Sequence, residues 1–492
     1  MPRATVIGSG PNGLAAAVSL ARAGYAVEVL EAGATIGGGV RSAAVTLPGF
    51  VHDVCSAVHP AAYSSPFLRA FGRDRIDWII PEAAYAHPLD DGRAGIAWHD
   101  LERTADALGP DARAWRALLR PLSSHIEGVL DFTGGSLLRI PRAPITAVRY
   151  GLRTLEQGSA MAERTFRTPE AAALVAGVVA HANTALPAPS GAAAGLLLMA
   201  QAHAGGWAYP RGGAQRIADV LAEDLRAHGG TIRTGTRVVD LSALDWGDPA
   251  RGDVLLLNSS PRLALTLRDV PPHYARAIRA YRYGAAAAKV DFALDGPVPW
   301  TNPDVALSPT VHVGGTRAEV WASENAVAQG RVSERPYALV AQPSVLDATR
   351  APAGKQALWA YIHAPANSDV DATELVSRQI ERFAPGFRDR ILASHAVTPR
   401  QRAHLNPAEI GGDIFGGAFT MRQAVVRPVL SPTPWRAPMA GVYLASAATP
   451  PGPGVNFMAG WHAARTVLAD AGARVELGDL FGSTPADSPD SH

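Results

Sequence analysis

Cysteine is almost missing from this chain. Cys55 stands alone among 492 residues, which excludes an intramolecular disulfide, a C-x-x-C redox pair and a thiolate zinc site. Lysine is scarce too, found only at Lys289 and Lys355, and the arginine in its place accompanies abundant alanine, glycine and proline. That bias reads as nucleotide composition rather than as a binding surface. Net charge is also lacking: 45 Lys+Arg against 44 Asp+Glu leave +1, which gives no field to gather nucleic acid. There is no long apolar run either. The most apolar stretch, GAAAGLLLMAQA at residues 191–202, is shorter than the roughly 20 residues of a bilayer span. The N-terminus passes from an apolar strand straight into a glycine motif, without the pattern of a secretory leader. The expectation is a globular, cytoplasmic chain of roughly two to four domains. It has no nucleic-acid partner, and peripheral membrane contact is left open.

What is present begins at residue 4. Residues 4–7 read as a buried strand, and Gly8, Gly10 and Gly13 form G-x-G-x-x-G. Leu14, Val18 and Ala21 then recur at helical spacing up to a stop at Gly24, and residues 27–30 form a second strand closed by Glu31. This is a complete β-α-β dinucleotide unit. Gly8 permits the turn, Gly10 lets the backbone approach a pyrophosphate, and Gly13 lets the helix pack close to the strand. The helix N-terminus offers free amides and a positive dipole end to phosphate. Glu31 is placed to accept from a ribose, and its charge disfavours a 2′-phosphate.

A second glycine cluster, Gly37-Gly38-Gly39, follows Glu31 almost at once and leads into Val40-Arg41-Ser42, where an NAD domain would run on into another helix. Near the other end, GVYLAS at residues 441–446 reads as a strand, residues 449–454 as a loop and residues 455–470 as a helix. A C-terminal segment returning to complete the first domain is natural for FAD and hard to explain for NAD. In flavoproteins with two dinucleotide-binding domains, which this arrangement resembles, such a helix aims its first amides at the pyrimidine side of the flavin, where reduction gathers negative charge.

Seven stretches carry a resemblance: GSGPNGLAAA, LPGFVHDVCSAVHP, YPRGGAQRIADVL, KVDFALDGPVPWTNP, QIERFAPGFRDRIL, GGDIFGG and ASAATPPGPGVNFMAGWHAAR. Together they resemble the phytoene desaturase-like FAD oxidoreductases from the start of the chain to about residue 470. The resemblance implies an α/β fold whose Rossmann FAD domain, of the two-dinucleotide-binding type, is discontinuous over 1–75, 206–265 and 436–475. A mixed α+β substrate domain would take 76–205, read mainly as helices, and 266–435, with strand-like runs at 285–294, 337–342 and 357–363. Beyond the resemblance, residues 476–492 read as a disordered tail, polar and rich in Pro and Ser from Gly482 (GSTPADSPDSH). The FAD contacts implied are Gly8, Gly10, Pro11, Asn12, Gly13, Glu31 and Ala32, then Gly38, Gly39, Arg41 and Ser42. Val238, on an expected strand, would meet the adenine, while Ser446, Gly454, Val455 and Asn456 would meet the flavin side. Two positions depart from related sequences of the amine oxidase type. Gly39 stands where Arg or Lys follows the paired glycines, so Arg41 substitutes for it, and Ser446-Ala447 replace an acid that holds the ribitol.

The chemistry has several candidates. His59 either sits at the flavin edge or is a structural histidine bonded to backbone. In 357–363, Leu358, Ala360 and Ile362 share one face, while Trp359, Tyr361 and His363 share the other, which is expected to line a substrate cavity. Tyr209 lies in a loop with His203 and Trp207, read as a tunnel wall or as core. The catalytic set is therefore His59, Tyr209, Tyr361 and His363. Lys289 and Asp291 share a strand face and read as a salt bridge; Cys55 is a flavin tether or, more simply, an inert buried thiol. No metal is expected, since no histidine pair has ligand spacing with supporting acids.

No second β-α-β unit is found, and Gly411–Gly417 lacks the strand and helix that would make it one. Electrons would therefore leave through oxygen, a quinone or a protein partner. The leading expectation is an FAD-dependent dehydrogenase or desaturase moving a hydride from a small-molecule, apolar substrate to flavin N5. The alternatives are a redox-neutral double-bond isomerase using reduced FAD and a non-catalytic flavin-binding interaction protein. The oligomeric state is not legible.

Overall fold

The computed structural model describes residues 1–482. Strand Arg3–Ile7 buries its last four residues in succession, as a parallel strand covered on both faces must. It lies at the centre of a five-stranded parallel sheet, in the order Val442–Leu444, Val254–Leu257, Arg3–Ile7, Ala26–Leu30, Thr231–Arg233. Alternation along these strands divides the core: Val6 and Leu256 face helix Pro11–Arg22, whereas Ile7, Leu255 and Leu257 face Tyr274 and Ile278 on the other side.

Helix Pro11–Arg22 opens with proline at its first position and ends before Gly24, whose φ of +90° stops it. Helix Met458–Asp470 packs against it so closely that a Cβ on Gly460 would lie 1.8 Å from the Asn12 carbonyl oxygen. The two ends of the chain thus meet at the first glycine motif.

The second sheet is mixed and has seven strands. Its order is Ile391–Val397, Ala286–Leu294, Gln356–Ala364, Ala338–Ala341, Thr310–Val313, Ala83–Pro88, Ala94–Trp98. Every pairing is antiparallel except Thr310–Val313 with Ala83–Pro88. The period-two reading of 357–363 matches the packing: Leu358, Ala360 and Ile362 join Val290 and Phe292 in one core. Trp359 and Tyr361 join a different core with Leu174 and Leu196, from the helices that cover the opposite face.

The structure departs from the sequence reading in four places. Residues 76–205 are not only helices and loops, since Ala83–Pro88 and Ala94–Trp98 are strands. Alanine-rich segments have little strand propensity, so burial against the sheet decides them. Thr310–Val313 and Ile391–Val397 are further strands that were not foreseen. The strand expected around Val238 is absent. There Gly235 N–H donates to Gly33 O at 2.8 Å and Thr236 N–H to Glu31 O at 2.7 Å, which engages the backbone with the turn after Ala26–Leu30 instead of a ladder. The tail expected over 476–492 is ordered at its start, where Leu477–Phe481 is a helix. Phe481 packs edge-on to Phe67 and Phe71 at 5.4 and 5.8 Å and lies under the Arg22 guanidinium. Residues 483–492 of that expected tail lie outside the described residues.

Burial gives this fold a pH limit. It pushes the imidazoles of His52, His59, His87 and His203 down to about 4, and those of His181 and His462 to about 3. Unfolded histidines titrate near 6.5, about where the pKa of a free side chain lies. Between those values the unfolded chain binds more protons than the folded one, so stability falls as pH drops. Thermal melts should show a Tm that is steady above about pH 7 and declines progressively toward about pH 5. A Tm unchanged over that interval would contradict the buried neutral histidines.

Candidate active site

Gly8, Glu31, Asn258 and Ser446 each follow a strand of the parallel sheet or stand just beyond its end. They gather at the carboxyl edge, where open α/β sheets bind ligands. A cavity of about 1160 Å³ opens there and reaches Trp359 and Tyr361 on the mixed sheet and Ala193, Leu197 and Leu198 on helix Pro189–Ala204.

At the parallel-sheet end, glycines bring backbone together. Gly8 has φ +94°, and a Cβ on Gly13 would lie 2.1 Å from the Gly8 carbonyl oxygen, so neither position admits a side chain. Gly10 precedes helix Pro11–Arg22 without a side-chain cap, which leaves the first amides of that helix turned toward the cavity. The second cluster lies over the first: Gly37 N–H donates to Ser9 O at 3.1 Å, and a Cβ on Gly38 would come 3.0 Å from Gly10 Cα. Arg41 Nε donates to Gly38 O at 3.0 Å, which fixes a cation at the same edge. The Glu31 carboxylate organises the turn. Its Oε2 accepts from the Ser9 amide at 2.8 Å and hydroxyl at 2.6 Å, and its Oε1 accepts from Gly33 N–H at 2.7 Å. Free helix amides, bare glycine backbone, a nearby guanidinium and an acid beyond the second strand fit a dinucleotide such as FAD.

Fourteen of the sixteen expected cofactor residues line the cavity: Gly8, Gly10, Pro11, Asn12, Glu31, Ala32, Gly38, Gly39, Arg41, Val238, Ser446, Gly454, Val455 and Asn456. Gly13 and Ser42 lie behind the wall. Gly13 serves the packing just described. The Ser42 hydroxyl donates to Asp53 Oδ1 at 2.7 Å and accepts from Gln215 N–H at 3.1 Å, so it is turned away from the cavity. On the C-terminal side, Phe457 at φ +65° precedes helix Met458–Asp470, whose Met458 amide donates to Asn456 Oδ1 at 3.0 Å and whose Gly460 amide donates to Asn12 Oδ1 at 3.4 Å.

Three residues of this site escaped the sequence reading. Asn258 Nδ2 donates to Gly8 O at 3.1 Å, and its signal was a polar residue ending the apolar run DVLLLN. Asp53 joins Ser42 to the Ala214 amide at 2.8 Å and to Arg350 Nη2 at 2.7 Å, with Asp53, Ala214 and Arg350 all buried. Arg427, also buried, lines the cavity while donating to Ala447 O at 2.8 Å and Phe415 O at 2.7 Å, and its Nη1 has no partner. Nothing local in the sequence marks the last two, whose partners lie far along the chain or in irregular loops.

The catalytic candidates divide. His59 and Tyr361 line the cavity. His59 is 2% exposed, and both of its ring nitrogens lack a protein partner. Its backbone N–H donates to Ala208 O at 2.8 Å, so the loop, and not the ring, is what the fold ties down. Tyr209 and His363 require correction, because neither lines the cavity. Tyr209 donates to Pro343 O at 3.1 Å, and His363 Nδ1 pairs with Glu324 Oε2 at 2.7 Å inside the core. Strand Gln356–Ala364 carries His363 beyond the cavity although it shares a face with Tyr361. Lys289 and Asp291 form the expected buried pair, with His52 Nδ1 at 3.5 Å from Asp291. Cys55 lines the cavity and accepts from Arg402 Nη2 at 3.0 Å, and burial pushes its thiol up. Gly411–Gly417 starts in the short 3-10 turn Ile410–Gly412 and continues as irregular chain, and Asp413 to Gly416 form cavity wall.

Comparisons agree with this geometry. The profile of a family described as flavin containing amine oxidoreductase matches residues 12–468. Pyridine nucleotide-disulfide oxidoreductase domain-containing protein 2 of Rattus norvegicus is 26% identical over 551 residues, covering 95% of this chain and 93% of its own. Hydroxyneurosporene desaturase of Rhodobacter capsulatus is 26% identical over 510 residues, covering 94% and 97%. A putrescine oxidase redesigned for cofactor binding shares the fold with a TM-score of 0.59 at 15% identity, over 96% of this chain and 99% of that one. The word disulfide in the rat protein's name has no counterpart here, where Cys55 is alone.

The Glu31 contacts yield a direct test. Glu31→Ala leaves the Ser9 and Gly33 amides without their acceptor, a loss of about 1–3 kcal/mol in the turn that carries the dinucleotide. The flavin-to-protein ratio after gel filtration should fall accordingly; an unchanged ratio would remove Glu31 from the site.

Proposed function

The chain belongs to the flavin containing amine oxidoreductases and is an FAD-dependent oxidoreductase; from that premise we propose that its substrate is apolar and extended rather than an amine, and gives up a hydride from a C–H bond. The observation that carries this reading is the state of the carboxylates. Three line the cavity among the described residues, namely Glu31, Glu409 and Asp413. Glu31 is engaged by the glycine turn. Glu409 is paired with Arg402 and accepts from Asn406 Nδ2, both at 2.9 Å. Asp413 accepts from the amides of Gly284 and Phe415 at 2.7 Å, and burial raises its pKa. A substrate ammonium ion therefore meets no free carboxylate, and an unpaired buried charge is costly. Leu197, Leu198, Leu339, Ile414 and Phe419 line the same cavity as Tyr361, which suits a hydrocarbon.

Bound FAD supplies the hydride-accepting centre. Residues 1–75, 206–265 and 436–475 are taken as the unit that holds it. The free amides of helix Pro11–Arg22, with Arg41, would hold its pyrophosphate, and Glu31 its adenosine ribose. The free Nη1 of Arg427 and the dipole of helix Met458–Asp470 favour negative charge in their part of the cavity, although Asn456 Oδ1 and Asn12 Oδ1 already accept from the Met458 and Gly460 amides of that helix. Trp359 and Tyr361, whose rings meet at 5.2 Å and nearly at right angles, would form the aromatic wall that positions an extended substrate, and the apolar wall excludes water. His59, held neutral by burial, can donate at one ring nitrogen and accept at the other without becoming charged. With no second dinucleotide unit among the described residues, reoxidation is proposed to pass to oxygen, a quinone or a protein.

Anaerobic mixing distinguishes the readings. Long apolar polyenes or other unsaturated hydrocarbons should bleach the visible absorption of bound flavin, while simple primary amines should leave it intact. Bleaching by amines alone would overturn the proposal. Rearranged product that has lost no hydrogen, formed only with pre-reduced enzyme, would instead establish the isomerase.

A further inference from the structure

Exposed apolar side chains are concentrated in one place. Seven of the sixteen large ones among the described residues fall within residues 138–161. Helix Pro144–Gln157 presents Ile145, Val148, Leu152 and Leu155, 75%, 63%, 63% and 57% exposed, at spacings of three and four that align them on one face. Ile140, 91% exposed, stands in the turn just before it. A soluble surface does not ordinarily carry a stripe of this kind.

The stripe continues into the cavity. Val148, Leu152 and Leu155 line it, and so do Leu405 and Met421, which are themselves exposed. Helices Pro144–Gln157 and Met421–Val425 both pack on helix Pro189–Ala204, whose Ala193, Leu197 and Leu198 line the cavity behind them. The opening is therefore rimmed by hydrocarbon on its outer surface as well as within.

Charge selects what this face meets. Residues 136–155 contain four arginines and no acid. Arg139 and Arg153 are paired with Asp131 and Glu156, whereas Arg142 and Arg149 have no ion pair among the described residues. An apolar stripe flanked by unpaired guanidinium groups complements a layer of anionic headgroups over hydrocarbon, and a second copy of the same face would set cations against cations. No helix among the described residues is long and apolar enough to cross a membrane, so contact would be made by this surface.

We propose that helix Pro144–Gln157 and the turn at Ile140 dock on an anionic lipid surface, so that the mouth of the cavity faces the bilayer and an apolar substrate enters without crossing water. The purpose of that entry rests on the apolar-substrate reading above, but docking itself does not.

The test uses the full-length holoprotein and vesicles of phosphatidylcholine with or without phosphatidylglycerol, read by co-sedimentation. The protein should sediment with the anionic vesicles and much less with the neutral ones. An Ile140→Ser/Ile145→Ser variant alters two residues outside the cavity wall, and its partition should fall by about tenfold or more with the flavin spectrum unchanged. Arg142→Glu/Arg149→Glu should weaken anionic-vesicle binding by about tenfold at low salt. Absence of vesicle binding would overturn the proposal, as would binding that both variants retain. So would a dimer in light scattering that the isoleucine variant dissolves while vesicles bind neither form. Because sedimentation requires no turnover, failure here leaves the substrate reading standing, and an amine substrate would leave a positive vesicle result standing.

Discussion

The structure depends on how closely backbone can approach the start of helix Pro11–Arg22. Gly8, Gly13 and Gly460 each lack a Cβ where one would meet a carbonyl oxygen or its neighbours within van der Waals distance. Their closeness leaves the helix N-terminus uncapped and turned to the cavity, with strand Arg3–Ile7 beneath it and helix Met458–Asp470 beside it. Distant parts of the sequence then have one place to meet. The second glycine cluster lies over the first, Asn258 closes it from the neighbouring strand, and Ser446 and Asn456 arrive from the C-terminal end.

A second, quieter constraint ties this region to the mixed sheet. Asp53 and Arg350 are both about 1% exposed, and Arg350 Nε also donates to Val51 O at 3.0 Å. Through Ser42 and Ala214 the same carboxylate reaches the second glycine cluster and the start of helix Gln215–Ala227. Removing either partner of a buried ion pair typically costs about 3–5 kcal/mol, because the other is left charged and dry. This pair ties together the parallel sheet, whose carboxyl edge opens on the cavity, and the mixed sheet, whose face carries Trp359 and Tyr361 into it. That cavity changes character along its walls, from glycine amides, Arg41 and Glu31 to Leu197, Leu198 and Val148. Polar groups on its walls are largely committed to one another, and His59 and one nitrogen of Arg427 are among those left free.

What could be read from the sequence was whatever has a fixed local spacing. The G-x-G-x-x-G turn, Glu31 and the two-residue alternation of Leu358, Ala360 and Ile362 against Trp359 and Tyr361 all follow from short-range geometry. The same alternation misled at His363, since a shared face does not say how far the cavity extends along it. Ala83–Pro88 and Ala94–Trp98 were missed because alanine carries little strand preference, and tertiary burial made the choice. Leu477–Phe481 was counted with the disordered tail because the polar stretch begins directly after it, at Gly482, and its packing on Phe67, Phe71 and Arg22 is not visible locally. Ser42 was expected at the cofactor because it follows the second glycine cluster. Asp53, a partner no local pattern reveals, turns it away.

The central claim is that the uncapped helix and its glycines hold FAD. The most direct measurement is the visible absorption spectrum of the purified protein, repeated on the filtrate after denaturation. The account predicts a flavin spectrum that passes into the filtrate as intact FAD. A colourless protein that cannot be reconstituted by added FAD would contradict it.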